Sequence, residues 1–343
     1  MRERRVARCS DGARAPDRSR DVSSCGRRRR DALGMRAAMS GAASGGIKAG
    51  FEGSRSADCA AGVCDGLLPF PPQGEACAYE TPYRVLDDVF CIRARNPSPI
   101  AFEGTNTWVI HPEDASSCAI VDPGCNSSEH LSAIEAFVRS RGARIAEVVV
   151  THSHPDHVSG ADELARKNGA RLLMGGNGIG CEGRLGLCEG RVGTRVYMLP
   201  GHSSDSIALL LEDDAALISG DIFFSRGWSV IPVPGGNLAD YFKTLARLQS
   251  LIGQGEAAVV LPGHREAMGA AYALSRLDDY VAHRRHRLDE IRAVADEIGS
   301  RDIEAVARKV YADIADPELY KAALMSLASQ IEYLNLTDGF ATA

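Results

Sequence analysis

The sequence predicts an α+β protein: a mixed strand and helix region followed by an all-helical tail. Three observations predict it. Between Tyr83 and residue 269, short apolar runs closed by Gly, Pro or Asp turns alternate with segments of helical spacing. Strand–helix units occur beside hairpins, as in "SIALLLEDDAALISGD", which reads as two strands around an acidic turn at Asp213–Asp214; this excludes both a purely parallel α/β protein and an all-β one. From about residue 270 the strand patterns stop and three helical segments follow.

The elements follow in order. Residues 1–78 are Arg/Ser-rich and then Gly/Ala/Ser-rich, and are expected to be disordered, because they carry too little apolar side chain to offset ordering entropy. Residues 1–40 hold twelve Arg and five acidic residues, a balance of +7 against −13 for the remainder and −6 for the whole chain. The segment lacks the apolar run of a secretory signal. An organelle transit peptide and a true start at Met35 or Met39 are the alternatives, so a cytoplasmic location is expected, with a mitochondrial or other organelle as the alternative. "YRVLDDVFCIRA" (Tyr83 to Ala94) reads as a strand, as do Thr107 to Ile110, "SCAIVDPG", "IAEVVVTH", "RLLMGG" and "AAVVLPGH". "SSEHLSAIEAFVRSRG" reads as a helix capped by Ser127 or Ser128, with Leu131, Ile134, Phe137 and Val138 as its apolar stripe and Gly142 as its stop. "VSGADELARKNG" and "LADYFKTLARLQSLI" are two more helices. The tail contributes three, with caps at Ser300/Asp302 and Asp316. Residues 79–269 and 270–343 are thus expected as two domains.

Ten cysteines include no C-x-x-C pair, so neither a zinc ribbon nor a thioredoxin-like motif is indicated. Cys181 and Cys188 are close enough in sequence to pair, but small buried apolar residues in a reducing compartment is the favoured reading. No run approaches the roughly 20 apolar residues of a membrane span. The oligomeric state is left open.

The chemistry concentrates in "THSHPDH", which holds His152, His154, Asp156 and His157, three of nine histidines. All are first-row metal ligands. A solvated polar loop would also hold histidines, but three features weaken that reading. "LPGHSSDS" puts His202 after a Pro-Gly turn, "LISGDIFF" puts Asp221 at the end of an apolar strand, and "VVLPGHRE" puts His264 after another strand and Pro-Gly turn. Strand ends and sharp turns are where a rigid scaffold presents functional loops. His152, His154 and His202 with Asp221 fill one site. Asp156, His157 and His264 with the same Asp221 fill a second, so the count fits a two-metal centre with Asp221 bridging.

This order, THxHxDH then GH, GD and GH, resembles the metallo-β-lactamase superfamily from about Tyr83 to the C-terminus. The resemblance implies a four-layer αββα sandwich with metals at one edge of two sheets. "NPSPIAFEGTNTW" (Asn96 to Trp108), "ADYFKTLARL" and "YVAHRRHRLDEI" resemble segments of its lactamase-beta-like, ribonuclease-like subgroup, whose small C-terminal domain is winged-helix-like. Two departures stand out: Ser206 where that subgroup often has a histidine, and "GHR" for its "GHG", which puts Arg265 near the cleft.

The implied activity is binuclear metal-dependent hydrolysis by a metal-bridged hydroxide, with two Zn2+ (Fe or Mn as alternatives) and Asp156 as the catalytic residue that orients it. The expected substrate is a phosphodiester such as single-stranded RNA. A glyoxalase II-like thioesterase acting on a small-molecule acyl-thioester is the alternative, and a non-catalytic nucleic-acid-binding module a third reading. Asn106, Arg265, His283 and Arg284 are candidate substrate contacts, the last two on a basic helix that also reads as a solvated face. His111 and His130 are read as solvated, and Asp122 as support behind the ligands.

Overall fold

The strand segments 89–93, 106–110, 117–121, 207–211 and 216–220 are buried throughout, and alternate residues enter different cores. In the computed structural model, which describes residues 78–338, this alternation builds a layered sandwich. The expectations for residues 1–77 lie outside the described residues. The elements run β1 (Pro82–Arg84), β2 (Val89–Arg93), β3 (Asn106–Ile110), β4 (Ser117–Val121), α1 (Ser128–Ser140), β5 (Arg144–Val150), α2 (Pro155–Val158), α3 (Ala161–Asn168), β6 (Arg171–Gly175), β7 (Gly178–Ile179), β8 (Gly183–Leu187) and β9 (Val192–Met198). They continue with β10 (Ile207–Leu211), β11 (Ala216–Gly220), α4 (Leu238–Gly253), β12 (Val259–Pro262), β13 (Met268–Gly269), α5 (Ala270–Ile298), α6 (Ile303–Val310) and α7 (Pro317–Thr337).

Two sheets result, one ordered β1 to β7 and the other β13-β12-β11-β10-β9-β8. Between them, Trp108, Val121, Val149, Leu209 and Ile218 form a central core. Their neighbours in sequence face outward. Val109, Ile120, Val148 and Val150 pack on Leu131 and Ile134 of α1 and Leu164 of α3. Leu210 and Leu217 pack on Tyr241, Leu245 and Leu248 of α4 and Leu277 of α5. The layers are therefore helix, sheet, sheet, helix, an α+β metallo-β-lactamase-type sandwich. Each fully buried aliphatic side chain contributes about 1.5–3 kcal/mol, so packing holds the strand interiors rigid and leaves chemistry to their ends.

Strand direction decides which ends. β4 is parallel to β5, and β11 to β12, so each pair presents two C-terminal ends side by side. β9 and β11 both run antiparallel to β10 and so point the same way. Two hydrogen bonds join the sheets at this edge, from Ile207 N–H to the Thr151 carbonyl (2.8 Å) and from Asn106 N–H to the Gly263 carbonyl (2.8 Å).

Several local expectations are corrected. Tyr83 to Ala94 is a hairpin, β1 and β2, because the chain turns at Val85–Asp88, where Val85 N–H bonds Val89 O. The segment after Met174 holds β7, β8 and β9, whose glycines masked the strand pattern. "PDHVSGADELARKN" is two helices, so Asp156 and His157 sit on the one-turn α2 rather than on a loop. The caps are Ser127, Asn237, Asp302 and Asp316, each accepting a main-chain N–H; Ser300 instead accepts from Asp302 N–H. The tail is three helices, and among the described residues no strand follows β13 to make a wing. Leu288, Ile291, Val306, Leu327 and Leu334 of the tail belong to the same core as α4 and the second sheet, so residue 270 separates elements but not cores. No described helix is long and apolar enough to cross a membrane. Cys181 is exposed, Cys188 is buried, and no disulfide joins them.

Candidate metal centre

Seven side chains meet at this edge in two sets: His152, His154 and His202; and Asp156, His157, Asp221 and His264. The loop after β5 supplies His152 and His154, and α2 supplies Asp156 and His157. The turns after β9, β11 and β12 supply His202, Asp221 and His264. Glycine is required beside two of them. A Cβ at Gly263 would stand 2.3 Å from Asp221 Oδ1 and 2.7 Å from His157 Cε1, and one at Gly201 would stand 2.4 Å from the Tyr241 Cα.

In the first set three ring nitrogens converge. His152 Nε2 lies 3.0 Å from His154 Nδ1, and His202 Nε2 lies 2.9 Å from His154 Nδ1 and 3.2 Å from His152 Nε2. His202 Nδ1 lies 2.7 Å from the Val230 carbonyl, which can only accept, so Nδ1 carries the proton and Nε2 turns a lone pair inward. In the second set His264 Nδ1 donates to the Gly104 carbonyl (3.1 Å) and His157 Nδ1 to Asp122 Oδ2 (2.9 Å), which again aims Nε2 inward. Both Nε2 atoms and Asp221 Oδ1 are buried without a hydrogen-bond partner. Instead, His264 Nε2 stands 3.2 Å from Asp221 Oδ2 and 3.3 Å from Asp156 Oδ2, and His157 Nε2 stands 3.3 Å from Asp221 Oδ1. Buried polar atoms left unpaired need an explanation. A divalent cation among these second-set atoms would supply it, because imidazole lone pairs and carboxylates are its ligands. Asp221 Oδ2 is also 4.0 Å from His202 Nε2, so this carboxylate touches both sets.

The sets differ in charge. Burial works against a proton on every ring. In the second set burial is the largest single effect, but the carboxylates together outweigh it: Asp221 and Asp156 raise His264 to about 9, and Asp221, Asp122 and Asp156 hold His157 well above its ordinary value. Burial works against ionised Asp156, yet His157 and His264 bring it down to about 2, and Asp221 is likewise held well below the usual range. In the first set burial prevails: His202 falls to about 4, and His152 and His154 also fall. One half demands positive charge, and the other offers neutral lone pairs.

Each set has its own support. Asp122, fully buried, accepts from Thr151 N–H and Thr151 Oγ1 (both 2.7 Å) as well as from His157. Thr105 Oγ1 donates to the Asp156 carbonyl (2.9 Å). Asn106 is also fully buried: its amide donates to the carbonyls of Pro262 (3.0 Å) and Arg265 (2.9 Å), and its oxygen accepts from Arg93 (3.2 Å). Asn106 is thus a brace for the His264 turn, not a substrate contact. Arg284 is corrected likewise, since only 4 % of it is exposed and its guanidinium donates to the Ser229 carbonyl. Arg265 is ion-paired with Glu103 and lies 3.9 Å over the Phe102 ring, whose edge faces His264. His283 stacks on Trp228 at 3.8 Å. His130 and His111 are buried rather than solvated: His130 bonds Thr107 Oγ1 (2.9 Å) and Glu80 (2.5 Å), and His111 bonds the Ala115 carbonyl (3.0 Å). Ser229, Thr105 and Tyr280 carry no sequence signal for their roles, because hydroxyls bonded to main chain form no motif.

A family model described as the metallo-beta-lactamase superfamily matches residues 100–178 and 183–264. The chain is 29% identical over 246 residues to a beta-lactamase-like protein 2 homolog from Caenorhabditis elegans, covering 67% of this chain and 78% of that protein. It is 24% identical over 256 residues to the lactamase-like protein adaB of Aspergillus niger, covering 73% and 77%. Among solved structures, a beta-lactamase domain protein from Burkholderia ambifaria superposes with a TM-score of 0.63 at 22% identity, covering 80% of this chain and 92% of that one. A metallo-beta-lactamase family protein from Thermus thermophilus gives 0.58 at 18%, covering 74% and 95%. These two likenesses concern the fold.

Proposed function

The chain belongs to the metallo-β-lactamase superfamily, and from that premise we propose that it is a hydrolase working with two divalent cations, zinc first, which the two ligand sets would hold with Asp221 available to both. The observation that carries this reading is the pair of converging ligand sets, the carboxylate set holding buried nitrogen and oxygen atoms without a hydrogen-bond partner. Bound cations would supply a water acidified toward neutral pH and would polarise the scissile bond. The protein's own contribution is positional. Asp156, about a quarter exposed, is the most open carboxylate of the second set and is ionised at neutral pH, so it accepts a hydrogen bond from the attacking water and orients it. His154, the most exposed of the three histidines in its set, lines the mouth. Asp122, Thr105 and Asn106 hold the loops so that the site needs little reorganisation during reaction.

The substrate class we propose first is a phosphodiester such as single-stranded RNA, on the lead-in segment and the three-helix tail. A second reading, a small acyl-thioester, is favoured by one observation: Arg265, next to His264 in the chain, is ion-paired with Glu103, and Arg226 with Glu103 and Glu266. The test is to assay the purified chain, with its ions counted, on labelled single-stranded RNA and on acyl-thioesters, with Asp156→Ala as control. Metal-dependent RNA cleavage lost in the variant supports the phosphodiester reading. Thioester turnover alone moves the assignment to the second, and no loss of activity in Asp156→Ala would overturn the role given to that carboxylate.

A further inference from the structure

We propose that Arg276, Tyr280 and Arg284 form a positioning stripe on α5 that sets the His202 imidazole, and with it the affinity of the three-histidine half of the centre, without touching metal or substrate. The inference rests on the two-cation reading above. Spaced four apart, the three residues share one face of the helix. That face meets the loop between β11 and α4. Arg276 donates to the carbonyls of Phe224 (3.3 Å) and Gly227 (3.0 Å). The Tyr280 hydroxyl accepts from Phe224 N–H (3.1 Å) and Ser229 N–H (3.2 Å). Arg284 donates to the Ser229 carbonyl. One helix face thus satisfies five main-chain groups of one loop, groups whose burial without partners would be costly.

The same loop holds His202. Val230 O accepts the Nδ1 proton, and Ser229 Oγ stands 3.0 Å from Nδ1 while donating to the Asp221 carbonyl (2.6 Å). A shift of Ser229–Val230 therefore turns the ring and misaims Nε2. The second set has separate braces in Thr105 and Asn106, while Asp122 serves both sets, bonding His157 directly and reaching His152 through Thr151 Oγ1 (3.0 Å). The stripe is not a phosphate-binding surface: Tyr280 is fully buried, Arg284 nearly so, and Arg276 pairs with Asp279 (2.8 Å). Trp228, on the same loop, is flanked by Arg276 (4.9 Å) and the stacked His283.

The experiment is a cobalt(II) titration of the full chain, followed by its visible spectrum and by equilibrium dialysis, for wild type, Arg284→Met, Arg284→Lys and Tyr280→Phe. Arg285→Met, exposed on the same helix, is the control. Outer partners of metal ligands are worth 10–100-fold in affinity, so Arg284→Met and Tyr280→Phe are expected to weaken one binding event by about tenfold or more and leave the other unchanged. Arg284→Lys, with a single donor for Ser229 O, should recover part of the loss. Two unchanged events, or an equal loss in both, would overturn the stripe. If Arg284→Met does not fold, Tyr280→Phe decides. If wild type takes up fewer than two ions, the two-cation reading fails on its own, and the metal-free protein still tests the stripe. Faster exchange of the His202 Nδ1–H resonance in the variants upholds it, and wild-type exchange sinks it.

Discussion

The two halves of the candidate metal centre are built by different means. The carboxylate half (Asp156, His157, Asp221, His264) is braced by Asp122, Thr105 and Asn106 at the ends of β3 and β4, next to the strands that carry its ligands. The histidine half draws His202 from the turn after β9 and depends on a loop held from α5, some 55 residues further along the chain. They differ in electrostatics too: one gathers negative charge and raises its imidazoles, and the other buries neutral rings. The difference teaches that one centre can couple a half braced by residues at the ends of two sheet strands to a half whose supporting loop is held by a helix of the tail.

Four changes should break or sharpen this comparison. The largest effect is expected at the shared carboxylate. Asp221→Ala should cost more than about 100-fold in affinity for both ions, beyond what outer partners are worth, whereas His154→Ala should affect one; ion counts by mass spectrometry read this directly. Next is Gly263→Ala, whose Cβ must displace Asp221 or His157. Overpacking of this kind costs about 1–3 kcal/mol, so denaturant unfolding should show that loss, with the carboxylate half emptied first. Asp122→Asn comes third. It puts an amide where the carboxylate accepted three hydrogen bonds, and should lower affinity about 10–100-fold in the carboxylate half, with a smaller loss in the histidine half, which it reaches only through Thr151 and His152.

The smallest effect is in pH dependence, and its sign separates the halves. Without metal, His264 holds a proton up to about pH 9. That raised value stabilises the metal-free fold fully below the ordinary imidazole range, and the contribution is lost as pH rises through about 9. A cation must expel the same proton, so uptake by the carboxylate half at pH 7–8 releases protons and tightens as pH rises toward 9. His202, lowered to about 4, is already neutral there, so uptake by the histidine half releases none. Calorimetry in two buffers of different protonation enthalpy distinguishes them; proton release from both events, or neither, would remove the electrostatic distinction.

The central residues were legible because they sit in short local motifs. "THSHPDH", "PGH", "SGD" and "PGH" each join a strand end to a turn, and the turn's glycine or proline is a local requirement. The supports were less legible. Asn106 looked like a cleft residue and Arg284 like a phosphate contact, because a polar or cationic side chain reads as exposed until its packing partner is known. His130 looked solvated on its helix, although the strand residue Thr107 and Glu80 cover it.

By itself the sequence determined the α+β class, the order of most elements and the seven candidate ligands, since periodicity and turn chemistry act over a few residues. Only the tertiary structure decided that the seven meet at one edge of the sheets, which ring nitrogen of each support-bonded histidine faces inward, and that a basic helix in the tail serves the centre from behind. Those depend on parallel strands bringing distant ends together and on which carbonyl lies opposite each ring, relations between segments far apart in the chain, such as His264 and Gly104 or Arg284 and Ser229.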